Sequence, residues 1–160
     1  MTDERPELAF RSEILEFIAR PMYPYLVTTT QAGAPYLRPV ICVNDGFRIR
    51  MITRAASKKV LHMRRNPLAS LFWASNEGTP PRSVMLQARI TILDDAASIE
   101  AFNAAYHEKN PARTRALPTG DEEIGRVVLV GEPLLLRADG FRGFRPVILR
   151  APDLAEVPTS

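Results

Sequence analysis

The order of hydrophobic and polar positions predicts a chain built mainly from short strands, with a few helices. Apolar residues recur at helical spacing over 6–20, which is predicted as a helix, and two further helices are predicted over 56–65, ended by Asn66-Pro67, and over 96–109. Runs rich in β-branched and aromatic residues are predicted as strands over 25–30, 35–43, 47–53, 68–74, 82–93 and 127–136. Asp45-Gly46 is typical of a tight hairpin, and Asp94-Asp95 stands where a helix N-cap belongs.

Hairpins dominate the first half of the chain, so the predicted sheet is antiparallel. Antiparallel sheets of about six twisted strands commonly close into barrels, because closure removes exposed edges. We find no repeat, linker or shift in composition, and therefore expect one domain spanning 1–160. Its ordered core is predicted over about 6–150, with 151–160 as a flexible tail. The predicted class is mainly β with α.

Composition narrows the possible functions by exclusion. The net charge of +3 is small and the basic residues are scattered, so no nucleic-acid partner is expected. No apolar run approaches the length of a membrane span, and the N-terminus does not resemble a signal peptide, so we expect a cytoplasmic protein without a membrane partner. One cysteine, Cys42, and two histidines predict no disulfide and no metal site. Cys42 is interpreted as a buried small hydrophobe.

The stretch 38–67 carries the most informative chemistry. Of 21 basic residues only three are lysines, and two of these, Lys58 and Lys59, are adjacent at the start of a predicted helix. Thr53 and Ser57 add hydroxyls, and free N–H groups at a helix N-terminus favour an anion. Arg38 would join them if the strand register allows. These residues suit a phosphate monoester, although from the residues alone a capped, solvent-exposed basic helix is the alternative.

The order Thr-x-x-x-Ser-Lys-Lys, then Asn-Pro, then an apolar strand ending near Trp73, resembles the FMN-binding core of the pyridoxamine 5′-phosphate oxidase-like superfamily. This resemblance covers about 25–107 and implies a six- to seven-stranded antiparallel split β-barrel with flanking helices. Carried over by position, it implies a cofactor site formed by Arg38, Val40, Ile41, Ile52, Thr53, Ser57, Lys58, Lys59 and Ser83. Trp73 is expected in the core or in a subunit interface.

The resemblance also implies a homodimer with FMN between subunits and a small organic substrate. His107 and Lys109 lie in a stretch that echoes a substrate-phosphate region. Ser83 stands where the true oxidases have glutamine, and the C-terminal third lacks their histidine and tryptophan, so pyridoxamine-phosphate oxidation itself is not expected. The expected function is an FMN-dependent oxidoreductase. The alternatives are a deazaflavin-dependent reductase and a non-catalytic flavin- or haem-binding sensor or storage protein.

Overall fold

The computed structural model describes residues 5–112 and 125–155. A 3₁₀ turn over Pro6–Phe10 leads into α1 (Arg11–Ile18). The other helices are α2 (Lys58–Arg65), α3 (Ala96–Lys109) and α4 (Ala151–Leu154). The strands are β1 (Tyr25–Thr29), β2 (Pro35–Pro39), β3 (Cys42–Asp45), β4 (Arg48–Arg54), β5 (Leu68–Ala74), β6 (Ser83–Leu93), β7 (Arg126–Arg142) and β8 (Arg145–Arg150). The class predicted from the sequence is confirmed.

All strand pairs in the described residues are antiparallel, and they form one sheet in the order β2-β1-β5-β6-β7-β4-β3. Strands β1 and β4 lie four positions apart in this order. Even so, Leu26 of β1 and Ile49 of β4 belong to one fully buried cluster together with Trp73. A flat sheet would separate such strands by roughly 19 Å. The sheet is therefore curled around its own core, and the expected core position of Trp73 is confirmed.

The long strand β7 carries two neighbours on one edge. Its first half pairs with β4 and its second half pairs with β8, while β6 pairs along nearly the whole of its other edge. This shared edge splits the barrel into two parts. The strand predicted over 127–136 is thus too short, and β8 was not predicted, because Gly140 and Gly143 interrupt the strand-like pattern. The sheet has eight strands in the described residues rather than six or seven.

Helix α3 covers the outside of the barrel. Phe102 and Tyr106 pack against Ile52, Val128 and Val130 in a second buried cluster. The predicted N-cap is confirmed, because the side chain of Asp95 accepts a hydrogen bond from the Ser98 N–H at 3.0 Å. Residues on β7 that face away from the barrel core are therefore also buried. This packing fixes the end of α3 next to β3.

Several predicted boundaries need correction. The strand predicted over 35–43 is two strands, β2 and β3, because the chain leaves the β1 ladder after Pro39 and joins β4 from Cys42 onward. The helix predicted over 6–20 begins as a 3₁₀ turn and becomes α-helical only over Arg11–Ile18. The predicted tail contains α4, which is held by Leu154, only 2% exposed, and by an ion pair from Arg5 to Asp153 at 2.7 Å. Residues 156–160 lie outside the described part.

Candidate functional site

The start of α2 offers unpaired backbone donors. Ser57 occupies the N-cap position with extended backbone angles, and no side chain caps the helix. The first N–H groups of a helix have no partner within it, so those of α2 remain free to bind an acceptor. The Thr53 hydroxyl, at the end of β4, donates to the Ser57 hydroxyl oxygen at 3.5 Å. The structure thus brings the predicted Thr53, Ser57 and Lys58 together.

Arg38 reaches this region from β2. Its Nη1 donates to the Thr28 hydroxyl oxygen at 2.8 Å and to the Tyr36 carbonyl oxygen at 2.6 Å. Its guanidinium carbon lies 4.4 Å from the centre of the Tyr36 ring. Its other terminal nitrogen, Nη2, is buried and has no hydrogen-bond partner in the described residues. Burial lowers the pKa of Arg38, and Tyr36 partly offsets that effect.

The two lysines of the pair differ in their surroundings. Lys58 is exposed, whereas Lys59 is half-buried. Burial first, and then repulsion from Arg38, lowers the pKa of Lys59. Within the described residues, neither lysine nor Arg38 takes part in an ion pair. The result is a cluster of cationic groups without a carboxylate to neutralise it.

From the sequence, neither Thr28 nor His62 was placed in the candidate site. The structure buries both residues, at 1% and 8% exposure. His62 Nδ1 lies 2.9 Å from the Thr28 hydroxyl oxygen, and the His62 ring meets the Tyr36 ring edge-on at 5.5 Å. Burial and the nearby charges of Arg38, Arg65 and Lys58 lower the pKa of His62. The helical spacing of His62 from Lys58 and Lys59 indicates only that the three residues lie on one side of α2, and it gives no sign of the contact with Thr28.

The apolar residues predicted for the cofactor site lie between Arg38 and Lys58 in the sequence. Val40 is buried against the barrel core, and Ile52 is buried in the cluster under α3. Ile41 is half-buried and packs against that second cluster. These three side chains have mainly packing roles in one protomer.

Ser83 lies far from Thr53 along the sheet. Ser83 is the first residue of β6 and pairs with Asp139. Thr53 pairs with Val127 of β7, and the next residue, Val128, pairs with Leu93 at the opposite end of β6. Ten residues of strand correspond to roughly 33 Å along the strand. One protomer therefore does not bring Ser83 and Thr53 into one site.

A cavity of about 140 Å³ lies between α1, β3 and the end of α3. Its lining includes Ile41, Cys42, Tyr106 and Lys109. The Lys109 ammonium donates to the Asn44 carbonyl oxygen at 2.6 Å, which ties α3 to β3. The Tyr106 hydroxyl is buried and has no partner in the described residues.

The two residues predicted to contact substrate have different surroundings, since Lys109 lines this cavity while His107 is exposed and is not among its lining residues.

Cys42, predicted to be buried, is half-buried, and burial raises its pKa to about 12, so the thiol stays protonated at neutral pH. A protonated thiol of this kind is a poor nucleophile.

The described residues hold no cluster of three or more metal-ligating side chains. Within the same ranges, no helix is long and apolar enough to cross a membrane.

Comparison with known sequences places this arrangement in a family. The family model for pyridoxamine 5′-phosphate oxidase matches residues 10–138, which is most of the chain. The chain belongs to the pyridoxamine 5′-phosphate oxidase family. The matched segment contains Arg38, the whole of α2 and Ser83, so the resemblance found in the sequence is confirmed. A comparison with curated proteins finds no significant match.

Solved structures share the family's fold at low sequence identity. A protein related to general stress protein 26 from Clostridium acetobutylicum superposes with a TM-score of 0.71 at 16% identity, covering 92% of this chain and 99% of that one. A haem-binding protein from Mycobacterium smegmatis superposes with a TM-score of 0.70 at 19% identity, covering 94% of this chain and 60% of that one. An F420 reductase superposes with a TM-score of 0.63 at 18% identity, covering 76% and 93%. At such identities the likeness concerns the fold alone.

Proposed function

We propose that this family member binds FMN through its phosphate at the start of α2 and acts as a flavin-dependent oxidoreductase on a small organic molecule. One observation carries the proposal: Arg38, Lys58 and Lys59 gather beside an uncapped helix N-terminus with no ion pair among the described residues. Like charges brought together in this way repel one another unless an anion lies between them. A phosphate monoester supplies that charge and three acceptor oxygens.

The residues present fit such a group. Arg38 Nη2 is a buried donor without a partner in the described residues, and a guanidinium matches a phosphate oxygen pair. Lys59 is half-buried, so its charge is less screened by water than that of exposed Lys58. Thr53 and Ser57 add hydroxyls, and the first N–H groups of α2 add backbone donors. Burial and then repulsion from Arg38 lower the pKa of Lys59, and an anion here would offset both effects.

The flavin supplies hydride or electron transfer when bound, and the protein supplies binding, orientation and control of water. The cavity lined by Ile41 and Lys109 has room for part of a small substrate, and its partly polar lining suits one with a hydrogen-bonding group. Tyr106 and Lys109 both line this cavity, and the Lys109 ammonium bonded to Asn44 supplies a positive charge beside it. Cys42, protonated at neutral pH, has no nucleophilic role in this proposal.

A homodimer forms part of the proposal. Ser83 and Thr53 are too far apart along the sheet to act on one flavin within a protomer, so a partner would bring its own β6 to the site. Large apolar side chains on the outer face of β1, β2, β5 and β8 are exposed and suit a subunit interface: Tyr25, Leu37, Leu68, Phe72 and Ile148. The proposal also places the protein in the cytoplasm, where FMN is available.

The first experiment identifies the cofactor on protein purified without additives. Absorbance near ~450 nm together with the mass of FMN in the released ligand supports the proposal. A Soret band indicates haem and a binding or storage role, whereas the mass of a deazaflavin indicates the corresponding reductase. Both of those outcomes contradict FMN as the cofactor.

The second experiment tests the placement of the phosphate by titrating variants with FMN. Lys59→Ala is expected to weaken binding by about 1.5–3 kcal/mol, the usual loss for a charged hydrogen bond, and Lys58→Ala by less because it is exposed. Arg64→Ala is the matched control, because it removes an exposed cation from the far end of the same helix. Equal affinities for Lys59→Ala and Arg64→Ala would contradict the proposed site.

A further inference from the structure

A buried hydroxyl connects Arg38 to the barrel wall and to α2. Thr28 lies on β1 and is only 1% exposed. Its oxygen accepts from Arg38 Nη1 at 2.8 Å and lies 2.9 Å from His62 Nδ1. The three side chains come from three elements, β2, β1 and α2, so this contact sets the position of the arginine relative to the helix.

The direction of these hydrogen bonds follows from the chemistry of the three groups. A guanidinium only donates, so the Thr28 oxygen must accept from Arg38 and its own hydrogen is left for His62. The Thr28 hydroxyl is only 1% exposed and has no other acceptor for its hydrogen in the described residues, so we assign the unprotonated acceptor to Nδ1 of His62 and the ring proton to Nε2. Arg38, Arg65 and Lys58 all surround the imidazole with positive charge, and the Tyr36 ring lies at its edge. A neutral ring in this one tautomer suits all of these neighbours.

The arginine is held on its remaining sides as well. The Tyr36 carbonyl accepts from Nη1, and the Tyr36 ring lies against the guanidinium plane. Nη2 is buried and is left without a partner in the described residues. The guanidinium is therefore fixed with one donor nitrogen unused, which is the arrangement of a preorganised anion-binding group.

We propose that Thr28 and His62 are positioning residues that hold the Arg38 guanidinium, through a Thr28 hydroxyl bridge, so that its unused donors meet the phosphate of the cofactor. This inference rests on the proposed phosphate site. Neither residue touches the ligand. Both act by removing the rotational freedom of Arg38 before the ligand arrives, so that less conformational entropy is lost on binding.

The experiment compares the affinities of FMN and riboflavin, which differ only in the phosphate, by calorimetry on the full chain. Thr28→Val keeps the shape of the side chain and removes the hydroxyl. It is expected to lower FMN affinity by about tenfold, the effect of one charged hydrogen bond, and to leave riboflavin affinity unchanged. Thr28→Ser is expected to restore FMN affinity. His62→Asn keeps an acceptor close to the position of Nδ1 and retains the preference for FMN, while His62→Leu loses it.

A second measurement needs no variant. Nitrogen-15 shifts of the wild-type imidazole report which ring nitrogen carries the proton, and an unprotonated Nδ1 with a protonated Nε2 is expected. The opposite tautomer overturns the assigned bridge, because the Thr28 oxygen would then accept both bonds and its own hydrogen would be buried without an acceptor in the described residues.

The outcomes separate this inference from the proposed function. If the wild type prefers FMN and Thr28→Val keeps the full preference, the phosphate site is supported and the role of Thr28 is overturned. A wild type that shows no preference for FMN over riboflavin overturns the phosphate site itself, and the positioning role with it.

Discussion

The close approach of Gly140 to the loop before β6 has a measurable effect on stability. Gly140 lies in β7 with φ of +82°, and a Cβ placed on it would come 2.7 Å from the Pro81 carbonyl oxygen and 3.0 Å from Arg82 Cα. Both contacts are to backbone atoms, which cannot turn aside as a side chain can. Gly140→Ala therefore combines a left-handed backbone strain with a collision that only a shift of β7 or of the loop relieves.

Gly33 provides the matched control. It has φ of +83°, nearly the value of Gly140, but a Cβ there would meet nothing within 4 Å. An L-residue in the left-handed region costs roughly 1–2 kcal/mol, and the lower entropy of the unfolded alanine chain returns about 0.4–1 kcal/mol. Gly33→Ala is thus expected to cost about 1 kcal/mol or less. Gly140→Ala carries the same contribution plus about 1–3 kcal/mol for the overpacking.

Urea unfolding of the two variants beside the wild type tests this reasoning. Both variants are expected to keep the slope of the wild type, because the same surface is exposed on unfolding, while the midpoint of Gly140→Ala falls further. A difference of about 2 kcal/mol between the variants corresponds to about 4–8 °C in Tm for a chain of this size. Equal destabilisation of the two variants would show that the contact with the loop carries no energy.

Two further predictions concern pH and assembly. The pKa of His62 is lower in the folded state than its ordinary value of 6.5, so below pH 6.5 the unfolded chain binds more protons than the folded one. His62 therefore lowers the free energy of unfolding as the pH falls from 6.5 to its folded-state pKa. Above pH 6.5 it has no effect on stability. Urea midpoints at pH 5.5 and 7.5 should differ less in His62→Asn than in the wild type, and an unchanged difference would exclude this origin. Light scattering should give twice the chain mass of 17.9 kDa for the wild type. Leu37→Glu, which places a charge on the exposed outer face, should shift the protein towards monomer, while Gln31→Glu in the β1–β2 turn should not.

The sequence predicted most of the first two-thirds of the fold because its signals there are local. The Asp45-Gly46 turn, the apolar alternation of β5 and β6, and the cap at Asp95 all depend on residues close together in the chain. The exchange of partners between β2 and β3 did not show in the sequence, since the run from 35 to 43 is continuously compatible with a strand. The position of the break depends on which strand each part pairs with, β1 for β2 and β4 for β3.

In the candidate site, too, local features could be predicted from the sequence and long-range contacts could not. The pair Lys58-Lys59 and the hydroxyls before it could be read from spacing, because one helix start places them together. The contact of Thr28 with His62 joins residues 34 positions apart and depends on how α2 packs against β1. The separation of Ser83 from Thr53 likewise depends on the length of β6 and on its pairing with β7. Neither could be predicted without the register.

The divided edge of β7 leaves a seam between β4 and β8 at Glu132, Pro133 and Leu134. An open stretch of strand edge invites other chains to add to the sheet, which leads to aggregation. Proline at the centre of the seam has no N–H to offer an incoming strand. The Glu132 carboxylate beside it is paired with Arg48 at 2.7 Å, and these charges make the seam costly to cover. The barrel can thus remain open at its split without serving as a template for polymerisation.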